Sequence, residues 1–165
     1  MVGPAQAVEE RFPKLGPDGY GITSPRDDKY NCVAWIARDP HRWWEPGIDG
    51  CFWPIANIAA DLDAGDLGEY LGVFQLLGFE TCSDGLLDDG VEKIAIYAVG
   101  NDFQHVAYQR GDGGWSSKLG ELNDVRHEQT TSLSGSGAFE YAPVLMYMSR
   151  CREPHPLADA GFLLP

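Results

Sequence analysis

Three runs follow one another in the middle of the chain: Lys93-Ile94-Ala95-Ile96-Tyr97-Ala98-Val99, Phe103-Gln104-His105-Val106-Ala107-Tyr108-Gln109-Arg110 and Trp115-Ser116-Ser117-Lys118-Leu119. The first is almost continuously apolar, as in a strand covered on both faces. Gly100-Asn101-Asp102 and Gly111-Asp112-Gly113-Gly114 separate the runs, and Gly/Asp breaks between β-prone segments signal hairpins. The stretch therefore predicts three consecutive antiparallel strands. Pro143-Val144-Leu145-Met146-Tyr147-Met148 predicts a last strand. Gly120 to Ser136 reads as polar loop, with Asp124-Val125-Arg126-His127 in its middle.

Upstream the pattern turns helical. Asp66 is an N-cap candidate, Leu67, Tyr70, Leu71, Phe74 and Leu77 recur at helical spacing, and Gly78 is a ready C-cap. Phe79-Glu80-Thr81-Cys82 reads as a short strand leaving that helix, and Ile55 to Leu62 as a short helix or turn. Leu15 to Asp28 is an extended, Gly- and Pro-rich lead-in with Ile22-Thr23 strand-like, and residues 1–14 and 151–165 are expected to be peripheral to a single domain spanning 1–165. The order is helices first, then an antiparallel meander. The expected class is α+β, with N-terminal helices packed on one face of a C-terminal antiparallel sheet.

Tyr30-Asn31-Cys32-Val33-Ala34-Trp35-Ile36-Ala37 carries the chemistry. Asn is a good N-cap, so Cys32 is placed in the first turn of a helix running to about Arg38, before Asp39-Pro40. The free N–H groups there favour thiolate over thiol. A loop loaded with Trp43, Trp44, Phe52 and Trp53 follows. It is either a satellite core capping the helix or, with Asn31 and Trp35, the substrate-binding wall of a cleft beside Cys32.

A nucleophilic cysteine needs a base. Of the four histidines, His41 is in the aromatic loop, His155 in the tail and His127 in a polar loop. His105, on a strand, is the best candidate. Centring the hairpin on Asp112-Gly113 pairs Arg110 with Trp115, Gln109 with Ser116 and Ala107 with Lys118. His105 then shares a face with Ser116, which can hold the imidazole, and with Lys118, which can bind a substrate carboxylate or stabilise an oxyanion. A slip of one residue replaces both with Ser117. Asp124 is the best carboxylate candidate downstream.

The net charge is −13 and the pI about 4.5. Such a surface disfavours nucleic acid and anionic membrane and leaves room for a cationic partner or substrate. No basic-then-apolar leader opens the chain and no run reaches the ~18 apolar residues of a membrane span. The expected compartment is the cytoplasm, with signal-free secretion left open. Cys32, Cys51, Cys82 and Cys151 are widely spaced without a C-x-x-C, so free thiols are expected, with neither a metal centre nor a cofactor.

Ile22-Thr23-Ser24-Pro25, Tyr30-Asn31-Cys32-Val33-Ala34-Trp35, Gly78-Phe79-Glu80-Thr81-Cys82, Glu92-Lys93-Ile94-Ala95-Ile96-Tyr97, His105-Val106-Ala107, Trp115-Ser116-Ser117-Lys118-Leu119-Gly120 and Asp124-Val125-Arg126-His127 together resemble an uncharacterised bacterial domain family. More remotely, a cysteine on an early helix followed by a histidine on a later strand is similar to papain-like and NlpC-type cysteine amidohydrolases. That resemblance implies a papain-like fold. It also implies attack by Cys32 on an amide carbon, His105 as base and then acid, and the Cys32 N–H in an oxyanion hole. The chain departs from the papain pattern at Arg26, where those enzymes place a Gln, and has no Asn or Asp on the strand after His105. The expected function is a thiol hydrolase or acyl transferase acting on a peptide, cell-wall peptide or protein side-chain amide. The alternative is a non-enzymatic acidic binding or immunity-type protein that grips a basic partner, with Cys32 an ordinary buried cysteine.

Overall fold

The computed structural model describes residues 2–55 and 65–153. In chain order it contains helix α1 (Pro4–Arg11), the single-turn helix α2 (Leu15–Asp18), strand β1 (Tyr20–Ile22), helix α3 (Cys32–Ile36) and helix α4 (Leu67–Leu76). Strands β2 (Glu80–Cys82), β3 (Val91–Val99), β4 (Asp102–Gln109), β5 (Trp115–Lys118) and β6 (Asp124–His127) come next, then a 3-10 turn (Thr130–Leu133) and strand β7 (Val144–Cys151). All seven strands form one antiparallel sheet in the order β1-β6-β5-β4-β3-β7-β2. Residues 56–62 of the short helix or turn expected at Ile55–Leu62, and the tail from 154, lie outside the described residues.

This overturns the expected α+β, papain-like arrangement of helices packed on a C-terminal sheet. The protein is mostly β, and among the described residues its longest helix has ten residues. The short strand expected at Phe79–Cys82 is the edge strand β2, paired with β7, and the strand-like part of the Leu15–Asp28 lead-in overlaps the other edge strand, β1, paired with β6. Asp124–His127 is an interior strand rather than part of a loop. Val125 and His127 are buried while Arg126 points outward, the alternation of a half-polar strand.

The sheet is covered on both faces, as the apolar run in β3 requires. Ile94, Ile96, Val106 and Tyr108 pack with Val33, Trp35 and Phe74 from α3 and α4. Ala95, Tyr97, Ala107 and Val125 face the other way, against Val8, Leu15 and Leu133. Residues 1–14 are therefore not a peripheral segment. Val8 in α1 and Phe12 at its C-terminal cap are both buried in this second cluster.

Three local features open the sheet where the site lies. The hairpin after β4 uses Gly113 at φ +92°, with Gly113 N–H donating to Arg110 O and Arg110 N–H to Gly114 O. This longer turn shifts the expected pairing by one residue, to Gln109 with Trp115 and Tyr108 with Ser116. Second, β4 and β5 are ladder-paired at those two positions, and α3 contacts both strands. Third, the β3–β4 register jumps after Tyr97–His105 to Ala98–Phe103, which leaves Gln104 as an extra, bulged residue next to His105.

Candidate active site

α3 begins where its cap dictates. Asn31 Oδ1 accepts from Ala34 N–H at 3.1 Å. The same side chain clamps the aromatic loop, accepting from Trp44 N–H at 3.3 Å and donating to Trp44 O at 2.7 Å. Its polar groups serve structure, although it borders the cleft. The helix stops after five residues, short of the expected Arg38, which has φ 62°.

Cys32 is the first residue of α3 and only 8% exposed. All four cysteines are free thiols. The backbone N–H groups of Val106, Val33 and Cys32 lie near the sulfur and favour its anion, but burial dominates and pushes the thiol up to about 11. The helix start therefore does not yield a resting thiolate. At neutral pH the group is a protonated thiol, because desolvation outweighs a few N–H dipoles.

Cys32 and His105 open onto one cleft of about 230 Å³, walled by Tyr70, Phe103, Gln104 and Tyr141 and completed by Trp43 and Glu45 from the aromatic loop. His105 is buried, and its Nε2 lies 3.0 Å from Ser117 Oγ. Ser117 Oγ lies 2.9 Å from His127 Nε2, and His127 Nδ1 lies 2.9 Å from the Gln129 carbonyl. For neutral rings one proton arrangement satisfies every link. A carbonyl can only accept, so His127 Nδ1 carries a proton. His127 Nε2 then accepts from the Ser117 hydroxyl, and Ser117 Oγ accepts from His105 Nε2–H. The lone pair is left on His105 Nδ1, which has no hydrogen-bond partner among the described residues.

Both rings are held neutral. Burial lowers His127 to about 4. Burial, with His127 nearby, takes His105 well below its ordinary value. The Tyr141 ring stacks on His105 with centroids 4.4 Å apart and planes 4° from parallel.

The other expected site residues are elsewhere or otherwise employed. Ser116 points to the opposite face and accepts from Arg110 Nη1 at 3.3 Å. The one-residue shift puts Ser117 in its place beside His105. Lys118 is neither a solvent-facing lysine nor an oxyanion donor. It is buried, and Nζ donates to the carbonyls of Asp27, Gly120 and Leu122 at 2.6, 2.7 and 2.5 Å. Asp124 is buried away from His105, with its Oδ2 accepting from Tyr30 OH at 3.0 Å. Burial raises its carboxyl to about 6, with Tyr30 and Lys118 opposing. Trp35 is core, edge-on to Tyr108. Trp44 is buried against Phe52 and donates to Asp39. Trp53 packs on Tyr70 and donates to Glu69, while Trp43 is the one tryptophan in the cleft wall.

Sequence reasoning reached Ser117 only as the alternative for a one-residue slip, and missed His127 as its partner and Tyr141 altogether. Reading Asp124–His127 as an alternating strand beside Ser117 would have found His127. Nothing in the sequence points from Tyr141 to His105.

Among the described residues no group of His, Cys, Asp and Glu has the arrangement of a metal site, and no helix is long and apolar enough to cross a membrane. Neither a curated protein nor a solved structure matches the chain. Residues 21–149 match the family described as Domain of unknown function (DUF7689), a span that holds Cys32, the whole histidine–serine–histidine chain and Tyr141, and the protein belongs to that family.

Proposed function

We propose that this protein is a thiol hydrolase or acyl transferase that acts on an amide bond, with Cys32 as nucleophile and His105 as general base. One observation carries the proposal: the hydrogen-bond chain from Gln129 through His127 and Ser117 leaves a buried, unpartnered lone pair on Nδ1 of His105, a ring that lines the same cleft as the Cys32 thiol. A buried imidazole fixed in one tautomer with its other nitrogen unpartnered is organised to take a proton.

Because the thiol rests protonated, proton removal accompanies attack. Cys32 Sγ adds to the amide carbon as its proton passes to His105 Nδ1. The carbonyl π pair moves onto oxygen, with the Cys32 N–H among its donors. The imidazolium then returns the proton to the leaving amine, giving a thioester that water or an acceptor amine opens. While His105 is charged, Ser117 and His127 support it through Nε2–H, the part that a carboxylate or amide plays in other triads. The acidic surface favours a basic peptide or protein as substrate, and the proposal places the enzyme in the cytoplasm.

The test is a stopped-flow burst with p-nitrophenyl acetate. The expected result is up to one equivalent of p-nitrophenolate with the acetyl group on Cys32, no such burst in Cys32→Ala, and a slowed burst in His105→Asn. Absence of acetyl on Cys32 in the wild type overturns the proposal. It would leave the second reading, an acidic binding protein with an inert thiol, which the low exposure of Cys32 and the lack of a direct thiol–imidazole hydrogen bond favour.

A further inference from the structure

The proposed chemistry places a negative charge on the carbonyl oxygen, and backbone N–H groups at the start of a five-residue helix are a thin set of donors for it. A side chain on this cleft that can add a donor is Tyr141. It lines the same cleft as Cys32 and His105. Its ring is fixed by the parallel stack on His105 and by contacts with Phe12 and Tyr97, at 5.2 and 5.8 Å between centroids. Its backbone is pinned on both sides: Tyr141 N–H donates to Leu133 O, Gly135 N–H to Tyr141 O, and Ala142 N–H to Gln104 Oε1 on the β4 bulge.

The neighbouring polar groups are already committed. Lys118 Nζ is spent on three carbonyls. Gln104 accepts from Ala142 N–H and donates to Asp102 Oδ2. We propose that Tyr141 is a catalytic residue whose phenol O–H donates to the oxyanion formed when Cys32 attacks, while its ring covers the imidazolium of His105. Burial and the nearby Cys32 sulfur raise the phenol, so it remains a donor across the working pH range. No proton leaves Tyr141. Its O–H shortens its hydrogen bond as charge builds on the substrate oxygen and relaxes as the tetrahedral adduct collapses and expels the leaving group. The ring face against the imidazolium adds a cation–π contribution that Phe would retain.

The inference rests on the proposed Cys32–His105 chemistry, and two reagents separate its failure from the failure of that reading. p-Nitrophenyl acetate acylates a thiol through an oxyanion. Iodoacetamide alkylates the same thiol by displacement of iodide, with no oxyanion. Both rates are measured at Cys32 in the wild type, Tyr141→Phe and Tyr141→Leu. Loss of one oxyanion donor slows acylation roughly 100-fold or more, so Tyr141→Phe is expected to lose about that factor in acetylation while alkylation stays within about twofold. Tyr141→Leu, which also removes the stack, is expected to slow both. If Tyr141→Phe acetylates at the wild-type rate, or slows both reactions equally, Tyr141 is not the oxyanion donor although Cys32 remains the nucleophile. If the wild type itself is not acetylated at Cys32, the inference falls together with the reading on which it stands.

Discussion

Ser117→Ala removes one oxygen and with it both links between His105 and His127. Each ring keeps its place in a close-packed interior, so His105 Nε2–H loses its acceptor and His127 Nε2 its donor. A buried polar group left without a partner costs about 1–3 kcal/mol. Two such groups give a loss of roughly 2–5 kcal/mol, which for a chain of this size lowers Tm by roughly 5–15 °C. The chemical effect is separable from the stability effect. When His105 takes the thiol proton, its Nε2–H donates as part of a cation, and such a bond is worth about 1.5–3 kcal/mol. Its loss slows acetylation of Cys32 roughly 10- to 100-fold. The control is Ser116→Ala, one residue away on the opposite face, where the hydroxyl accepts from Arg110. Differential scanning calorimetry and the p-nitrophenyl acetate burst, run on both variants below their melting range, read the two effects. Equal burst rates in Ser117→Ala and Ser116→Ala would refute the assignment of Ser117 as the group that holds the base.

Lys118→Met should unfold at lower denaturant. The carbonyls of Asp27, Gly120 and Leu122 lose their shared donor, at a cost of about 3–5 kcal/mol; a urea midpoint within error of wild type would show that the lysine does not stitch the segment before Cys32 to the turn after β5. Acidification acts on two buried groups in opposite senses. His127, held at about 4 in the folded chain and about 6.5 when unfolded, contributes stability that is complete above its unfolded value and lost as pH falls through 4, because the unfolded chain binds the proton first. Asp124, at about 6 folded and about 3.9 unfolded, contributes stability below its unfolded value that is lost as pH rises through 6. Asp124→Asn removes only the second effect, so between pH 7 and pH 4.5 the variant should lose about 2 kcal/mol more than wild type. Equal losses in urea titrations at the two pH values would contradict the burial of that carboxyl.

The parts of the structure legible in the sequence were those set by local rules. Asn31 and Asp66 cap their helices because each offers a carbonyl or carboxylate oxygen to an N–H three residues on. The continuous apolar run of β3 was a strand covered on both faces for the same local reason. The fold class was not legible: both three-residue edge strands fall in segments read as strand-like, but nothing local in them says that they join one sheet with β3, β4 and β5. Asp124–His127 has two charged residues in four, and only pairing between β5 and β1 makes it a strand. The register error has a single cause, the left-handed Gly113, which lengthens the turn by one residue and exchanges Ser116 for Ser117 beside His105. The thiolate expected at Cys32 failed on burial, a tertiary quantity. Cys32 and His105 sharing a cleft followed from neither local rule nor register, but from the packing of α3 on β4 and β5.

The most direct test of whether His105 serves Cys32 is the pH dependence of iodoacetamide alkylation at Cys32, resolved by peptide mass spectrometry, in wild type and His105→Asn. With the thiol at about 11, an unassisted sulfur is almost wholly protonated at neutral pH and alkylation climbs about tenfold per pH unit. Base assistance lifts the wild type above that line at pH 7, by about tenfold or more relative to His105→Asn, and the two profiles merge as the thiol ionises on its own near 11. Superimposable profiles from neutral pH upward would mean that His105 takes no proton from Cys32, and the cleft would then hold an inert buried thiol.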